Sequence, residues 1–110
     1  MELNIGLSVG YIEPKIQLDS TIYHLNDMLG GLFEYRIEAN DGQSDYGNER
    51  TIVVRTPFNM TASMISDLCR RLSQDSIAYV DKDGKGDLAY RSMDCTRYEF
   101  NPEYFIRYEG

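Results

Sequence analysis

Arg50-Thr-Ile-Val-Val-Arg-Thr56, then Pro57, then Met60-Thr-Ala-Ser-Met-Ile-Ser-Asp-Leu-Cys-Arg-Arg-Leu-Ser73 is the run on which the fold turns. Ile52, Val53 and Val54 are β-branched and suit a pleated surface. Pro57 has no N–H to give to a ladder and stops that strand. Asn59 or Thr61 can then accept from the orphan amides of a first helical turn. Met64, Ile65, Leu68, Cys69 and Leu72 recur at helical spacing and draw one apolar stripe along a helix over 60–73. Arg70, Arg71 and Ser73 fall off that stripe, the arginines where the helix dipole favours cations. The reading is a strand followed by a core-facing helix, with the rest of the chain packed onto that pair.

Upstream, Leu3, Ile5, Leu7 and Val9 alternate with Asn4, Gly6 and Ser8, the period of a strand with one buried face. Gly10 to Pro14 is expected to break it, although Tyr11 to Leu18 also reads as a strand that could pair with residues 3–9. Asp19, Ser20 or Thr21 can cap a helix whose apolar positions are Ile22, Leu25, Met28, Leu29 and Leu32, and Gly30-Gly31 would end it. Phe33, Tyr35, Ile37 and Ala39 alternate with Glu34, Arg36 and Glu38 in a second strand. Residues 40–49 are turn formers too polar to bury and connect to the Arg50 strand as a long hairpin loop. Downstream, Ser76 to Val80 is a short strand, Asp81 to Asp87 a tight turn, and Leu88 to Arg91 a fifth, edge strand. Tyr98, Phe100, Tyr104, Phe105, Ile106 and Tyr108 are too many apolar side chains to leave in water.

The order of elements, βαββαβ, is the split βαβ arrangement of ferredoxin-like domains, in the α+β class. Two helices would cover one face of an antiparallel sheet. The polar alternates Glu34, Arg36 and Glu38 would lie on the other face, open or covered by the aromatic tail. Residues 1–110 read as a single domain, with 96–110 as the tail packed back.

The chain has 110 residues, a net charge of −7, one histidine and two cysteines. No apolar run approaches the roughly 18 to 20 residues of a membrane span, and Met1-Glu-Leu-Asn4 lacks the features of a signal peptide. Cytoplasmic localisation and reduced thiols are the expectation. Residues 1–55 carry nine acids against four bases, and residues 56–110 nine against seven. That balance argues against a direct nucleic-acid interface, which needs clustered Lys and Arg. An acidic surface keeps a small protein soluble or steers it toward a basic partner.

Asp81, Asp83, Gly86 and Leu88 match offsets of a calcium loop, but Lys85 stands at an oxygen-ligand position and Ser92 where a bidentate Glu is required, so a hairpin turn is expected. His24 lies on a helix between Tyr23 and Leu25 and reads as a surface histidine. Cys69 lies on the apolar stripe as a small core residue, and Cys95 beside Asp94 lacks the electropositive setting that activates a thiol. Gly84-Lys-Gly86 precedes no helix and cradles no phosphate. The expectation is therefore no enzyme, no cofactor and no metal. Tyr46 stands among Asp41, Asp45 and Glu49, an aromatic flanked by charge of the kind that anchors interfaces.

Leu72-Ser-Gln-Asp-Ser-Ile-Ala78 and Phe100-Asn-Pro-Glu-Tyr-Phe105 resemble stretches of small uncharacterised bacteriophage proteins. That resemblance implies an inhibitor of host defence, anti-CRISPR-like, acting in the host cytoplasm. The expected function is a non-enzymatic binding protein whose acidic surface occupies a basic, nucleic-acid-binding site on a partner protein. Its contact residues would be Glu34, Glu38, Asp41, Asp45, Tyr46 and Glu49, the carboxylates mimicking phosphate. The alternative is a small-molecule-sensing or sequestering ferredoxin-like domain that assembles through sheet edges, a homodimer among the possibilities. A cleft lined by paired acids would instead point to an enzyme.

Overall fold

The computed structural model describes residues 1–7, 14–39, 50–92 and 97–109. In chain order these form β1 (Glu2–Leu7), α1 (Pro14–Leu29), β2 (Glu34–Ala39), β3 (Arg50–Arg55), α2 (Ala62–Leu72), β4 (Ser76–Val80), β5 (Gly86–Tyr90) and a 3-10 turn, Pro102–Tyr104. The strands make one antiparallel sheet in the order β2-β3-β1-β4-β5. That is one strand more than the four of a βαββαβ sheet. The addition is β5, which returns from β4 through a tight hairpin and pairs Ile77 with Ala89.

Register explains how one sheet serves two cores. Leu3 stands opposite Val54 and Ile5 opposite Ile52, and directly opposed residues of an antiparallel pair point to the same face. Leu3, Ile5, Ile52, Val54, Ile77 and Ala89 are accordingly buried together with Leu25, Leu29, Ile65, Leu68 and Cys69 of the two helices. Val53 faces the other way, yet it is 0% exposed. Its lateral neighbours on that face are Asn4 and Arg36, and both are hydrogen-bonded to the C-terminal segment. Asn4 exchanges two bonds with the backbone of Ile106, at 3.0 and 2.8 Å, and Arg36 Nη2 donates to Arg107 O at 2.7 Å. The tail thus lies across the face opposite the helices.

Glu2 fixes the same strap. It is 8% exposed, its Oε1 accepts from Tyr108 N at 3.2 Å, and its Oε2 lies 2.8 Å from Arg107 Nε. The Arg107 contact is an ion pair whose angle does not make a hydrogen bond, since Oε2 counts no hydrogen-bond donor. At the other end of the strap, the ring of Phe100 rests on Gly86, where an added Cβ would meet Phe100 Cε1 at 2.1 Å. The Tyr90 hydroxyl both accepts from Tyr98 N and donates to Tyr98 O, each at 2.7 Å.

α1 begins at Pro14, not at Asp19 to Thr21. Proline's fixed φ and missing N–H suit the first helical turn, so the residue expected to break a strand opens the helix instead. The strand reading of residues 14–18 is corrected by the same observation, and residues 11–13 lie outside the described set. Thr21 is inside the helix, where its hydroxyl donates to Gln17 O at 2.7 Å. For α2, Thr61 is the cap: its side chain accepts from Met64 N at 3.2 Å. Replacing Thr61 with Ala is expected to cost about 1 kcal/mol, read as a fall in the urea midpoint at unchanged slope. Ser73 ends α2 in the left-handed region at φ 54°, and Gln74 N donates to Cys69 O at 2.9 Å, closing the last carbonyls in a Schellman arrangement. Gln74 Nε2 then donates to Gly6 O at 2.7 Å and ties the exit of α2 to β1.

Candidate partner-binding surface

β2 is an edge strand, paired on one side by β3. Tyr35 and Ile37 stand opposite Val54 and Ile52 and so point to the helix-covered face. They remain 44% and 41% exposed. The reason lies in where the helices sit: α2 packs on β4 and β5, and α1 on α2 and β1, so neither helix covers the β2 end of the sheet. Exposed Leu32 and half-buried Phe33 precede the strand, and the Phe33 and Tyr35 rings lie 6.2 Å apart. A shallow groove of about 400 Å³ opens here, lined by Gly31, Leu32, Phe33, Glu34, Arg55 and Pro57. Strict alternation in this strand predicts burial for Tyr35 and Ile37. What it does not reveal is that the strand lies at an edge.

The polar side of β2 is more self-satisfied than its sequence suggests. Glu34 is exposed, but Glu38 is half-buried and ion-paired with Arg36 two residues before it. Arg36 and Arg55 also lie beside the Tyr108 ring, their guanidinium carbons 6.0 and 4.6 Å from its centroid. Arg55 Nη2 donates to Tyr108 O at 3.0 Å. Of the residues expected to contact a partner, Glu34 has no ion-pair partner among the described residues and Glu38 is already matched to a cation. Asp41, Asp45, Tyr46 and Glu49 lie outside the described residues. The segment that carries them leaves β2 at Ala39 and enters β3 at Arg50, which are direct cross-strand partners. Its two ends therefore start side by side at one end of the β2–β3 ladder.

Other ionisable groups are committed to structure. Asp81 Oδ1 accepts from Asp83 N and Lys85 N, each at 2.9 Å, as the organiser of a hairpin turn with Gly84 at φ 82°. Arg71 reaches Asp27 at 2.7 Å and Asp67 at 3.1 Å, contacts that raise its pKa and link α1 to α2. His24 packs edge-on to Tyr23. Among the described residues no group of three His, Cys, Asp or Glu side chains is placed to hold a metal, and no helix is long and apolar enough to cross a membrane.

Cys69 is buried with its Sγ 3.5 Å from Ala89 O. Burial pushes the thiol up to about 11, against a smaller opposing pull from Arg70. The thiol is overwhelmingly protonated at neutral pH, and the buried sulfur is closed to reagents as well. Iodoacetamide is therefore expected to leave Cys69 unmodified in the native chain and to label it in urea, as read by peptide mass spectrometry. Native labelling at the rate of a free thiol would contradict this.

Compared with protein-family models, with curated proteins and with solved structures, the chain matches none of them.

Proposed function

We propose that this chain is a non-enzymatic binding protein that uses the β2 edge and the acidic segment following it to occupy a basic surface on a partner protein. The observation that carries the reading is the continuity of three features: an edge strand that neither helix covers, exposed Tyr35 and Ile37 on it, and a direct run from Ala39 into Asp41, Asp45, Tyr46 and Glu49. Apolar anchors rimmed by like charge favour encounter with a cationic surface and hold it after contact. The narrower reading, a phage-encoded inhibitor that displaces nucleic acid from a defence complex, fits the same chemistry, because a run of carboxylates can imitate a phosphate row. For the scaffold, the interleaving β2-β3-β1-β4 supports a ferredoxin-like domain, with β5 as an addition.

The test is capture from a lysate of the natural host, identification of the bound protein by mass spectrometry, and titration of that protein. Reversing Asp41, Asp45 and Glu49 to Lys is expected to weaken affinity by more than about tenfold and to flatten its salt dependence. Unchanged affinity and salt dependence would remove the proposal.

A further inference from the structure

The two sheet edges differ. β5 is packed by α2 on one face and by Phe100 and Tyr98 of the tail on the other. Neither end strand has a further strand beside it among the described residues, but β2 alone carries two exposed apolar residues, Tyr35 and Ile37. Such an edge is a template for another strand, and the sequence of β2 identifies which one.

We infer that β2 pairs antiparallel with β2 of a second copy about a two-fold axis through Ile37, joining the two sheets into one. A two-fold axis normal to the sheet keeps each face on its own side. Directly opposed residues must then share a face, which rules out registers that place an odd-numbered residue against an even one. Two of the permitted registers give five cross-strand pairs within Glu34–Ala39, one centred on Arg36 and one on Ile37. Centring on Arg36 sets the two arginines against each other and Glu34 against Glu38, all like charges and unfavourable. Centring on Ile37 sets Arg36 against Glu38 of the second copy, twice by symmetry, with Ile37 on Ile37 and Tyr35 on Ala39.

Charge then closes into a ring. Within each copy Arg36 already holds Glu38 along the strand, so the two added contacts give an alternating square of two arginines and two glutamates on the tail-covered face. On the helix-covered face, Ile37 and Tyr35 lose the water that touches them in the single chain. Register and charge agree at one arrangement, and the opposing arrangement of equal length is penalised. This dimer takes Tyr35 and Ile37, the anchors assigned above to the partner, so a second copy and the partner compete for one edge, and the sedimentation and cross-linking below test the dimer without the partner present.

The full-length chain is expected to sediment as a dimer at micromolar concentration. Glu38→Arg is expected to raise the dimer dissociation constant about tenfold or more. The exchange Arg36→Glu with Glu38→Arg restores the square and is expected to restore the dimer. In a Cys95→Ser background, Ile37→Cys should give a disulfide-linked dimer under mild oxidation and Tyr35→Cys should not, because only residue 37 meets itself. If Glu38→Arg fails to fold by circular dichroism, the cysteine pair still decides on otherwise native chains. A strict monomer overturns the inference. So does a dimer that Glu38→Arg leaves intact, or one that cross-links through Tyr35→Cys in preference to Ile37→Cys.

Discussion

Ending the chain at Thr96 is expected to remove about 3 to 6 kcal/mol of stability, enough to leave a domain at the low end of the ordinary range, about 5 kcal/mol, partly unfolded at room temperature. The tail bonds to Asn4 and Arg36 on either side of Val53, which is 0% exposed, and Val80, on the same face two strands away, is 5% exposed. Val80 lies on that face between Glu2, which holds Arg107 and Tyr108, and Gly86, which carries the Phe100 ring. Baring two fully buried valines costs about 1.5 to 3 kcal/mol each. Glu2 and Asn4 would recover water for the bonds they lose, so the apolar term decides the outcome. Urea unfolding of the shortened chain measures the loss, and an unchanged midpoint would refute the strap. The seat itself is checked by Gly86→Ala. A Cβ there occupies the space of the Phe100 ring, so overpacking of about 1 to 3 kcal/mol is expected in the intact chain. It should largely vanish in a Phe100→Ala background, the non-additivity expected of groups in contact.

Leu68→Ala should cost about 3 to 4 kcal/mol and lower the thermal midpoint by roughly 10 to 20 °C. Leu68 is fully buried in α2, within the cluster that holds Ile65, Cys69, Ile77 and Ala89. The adjoining Arg70→Ala makes the contrast. Arg70 meets Asp67 at 3.5 Å with both side chains about half exposed, so its loss should stay within about 1 kcal/mol. Calorimetry on the two variants reads out which side of α2 faces the core. A comparable effect from both would contradict the orientation described above.

The amphipathic stripe of α2 was legible because its period has a single physical solution: Met64, Ile65, Leu68, Cys69 and Leu72 line one side, and Ile65, Leu68 and Cys69 are buried there. β4 was equally plain, since Ser76–Val80 is bounded by turn chemistry on both sides. The start of α1 was not, because Pro14 signals a break in a strand and a beginning in a helix with equal force. In sequence Val53 is one of three equivalent β-branched residues. Only the register and the tail show that it belongs to a second buried layer under the strap. The exposed Tyr35 and Ile37 were missed for a related reason: alternation reports which face a residue takes, and coverage of that face depends on elements far away in sequence. The acidic segment is legible as charge and Glu34, Arg36 and Glu38 as one face, but alternation does not say which of the two glutamates Arg36 pairs with, and the structure gives Glu38.

The bonds between Asn4 and Ile106 and between Glu2 and Tyr108 span 102 and 106 positions of the chain. During synthesis, β1 is made well ahead of the segment that closes its tail-side face. Contacts of such separation form after the local ones, since the intervening chain must first be drawn together. The half-made domain therefore passes through an interval in which its helices can dock while Val53 and Val80 remain wetted. A stalled ribosome or a stop before residue 97 would prolong that interval, and sticky encounters between nascent chains would be the outcome.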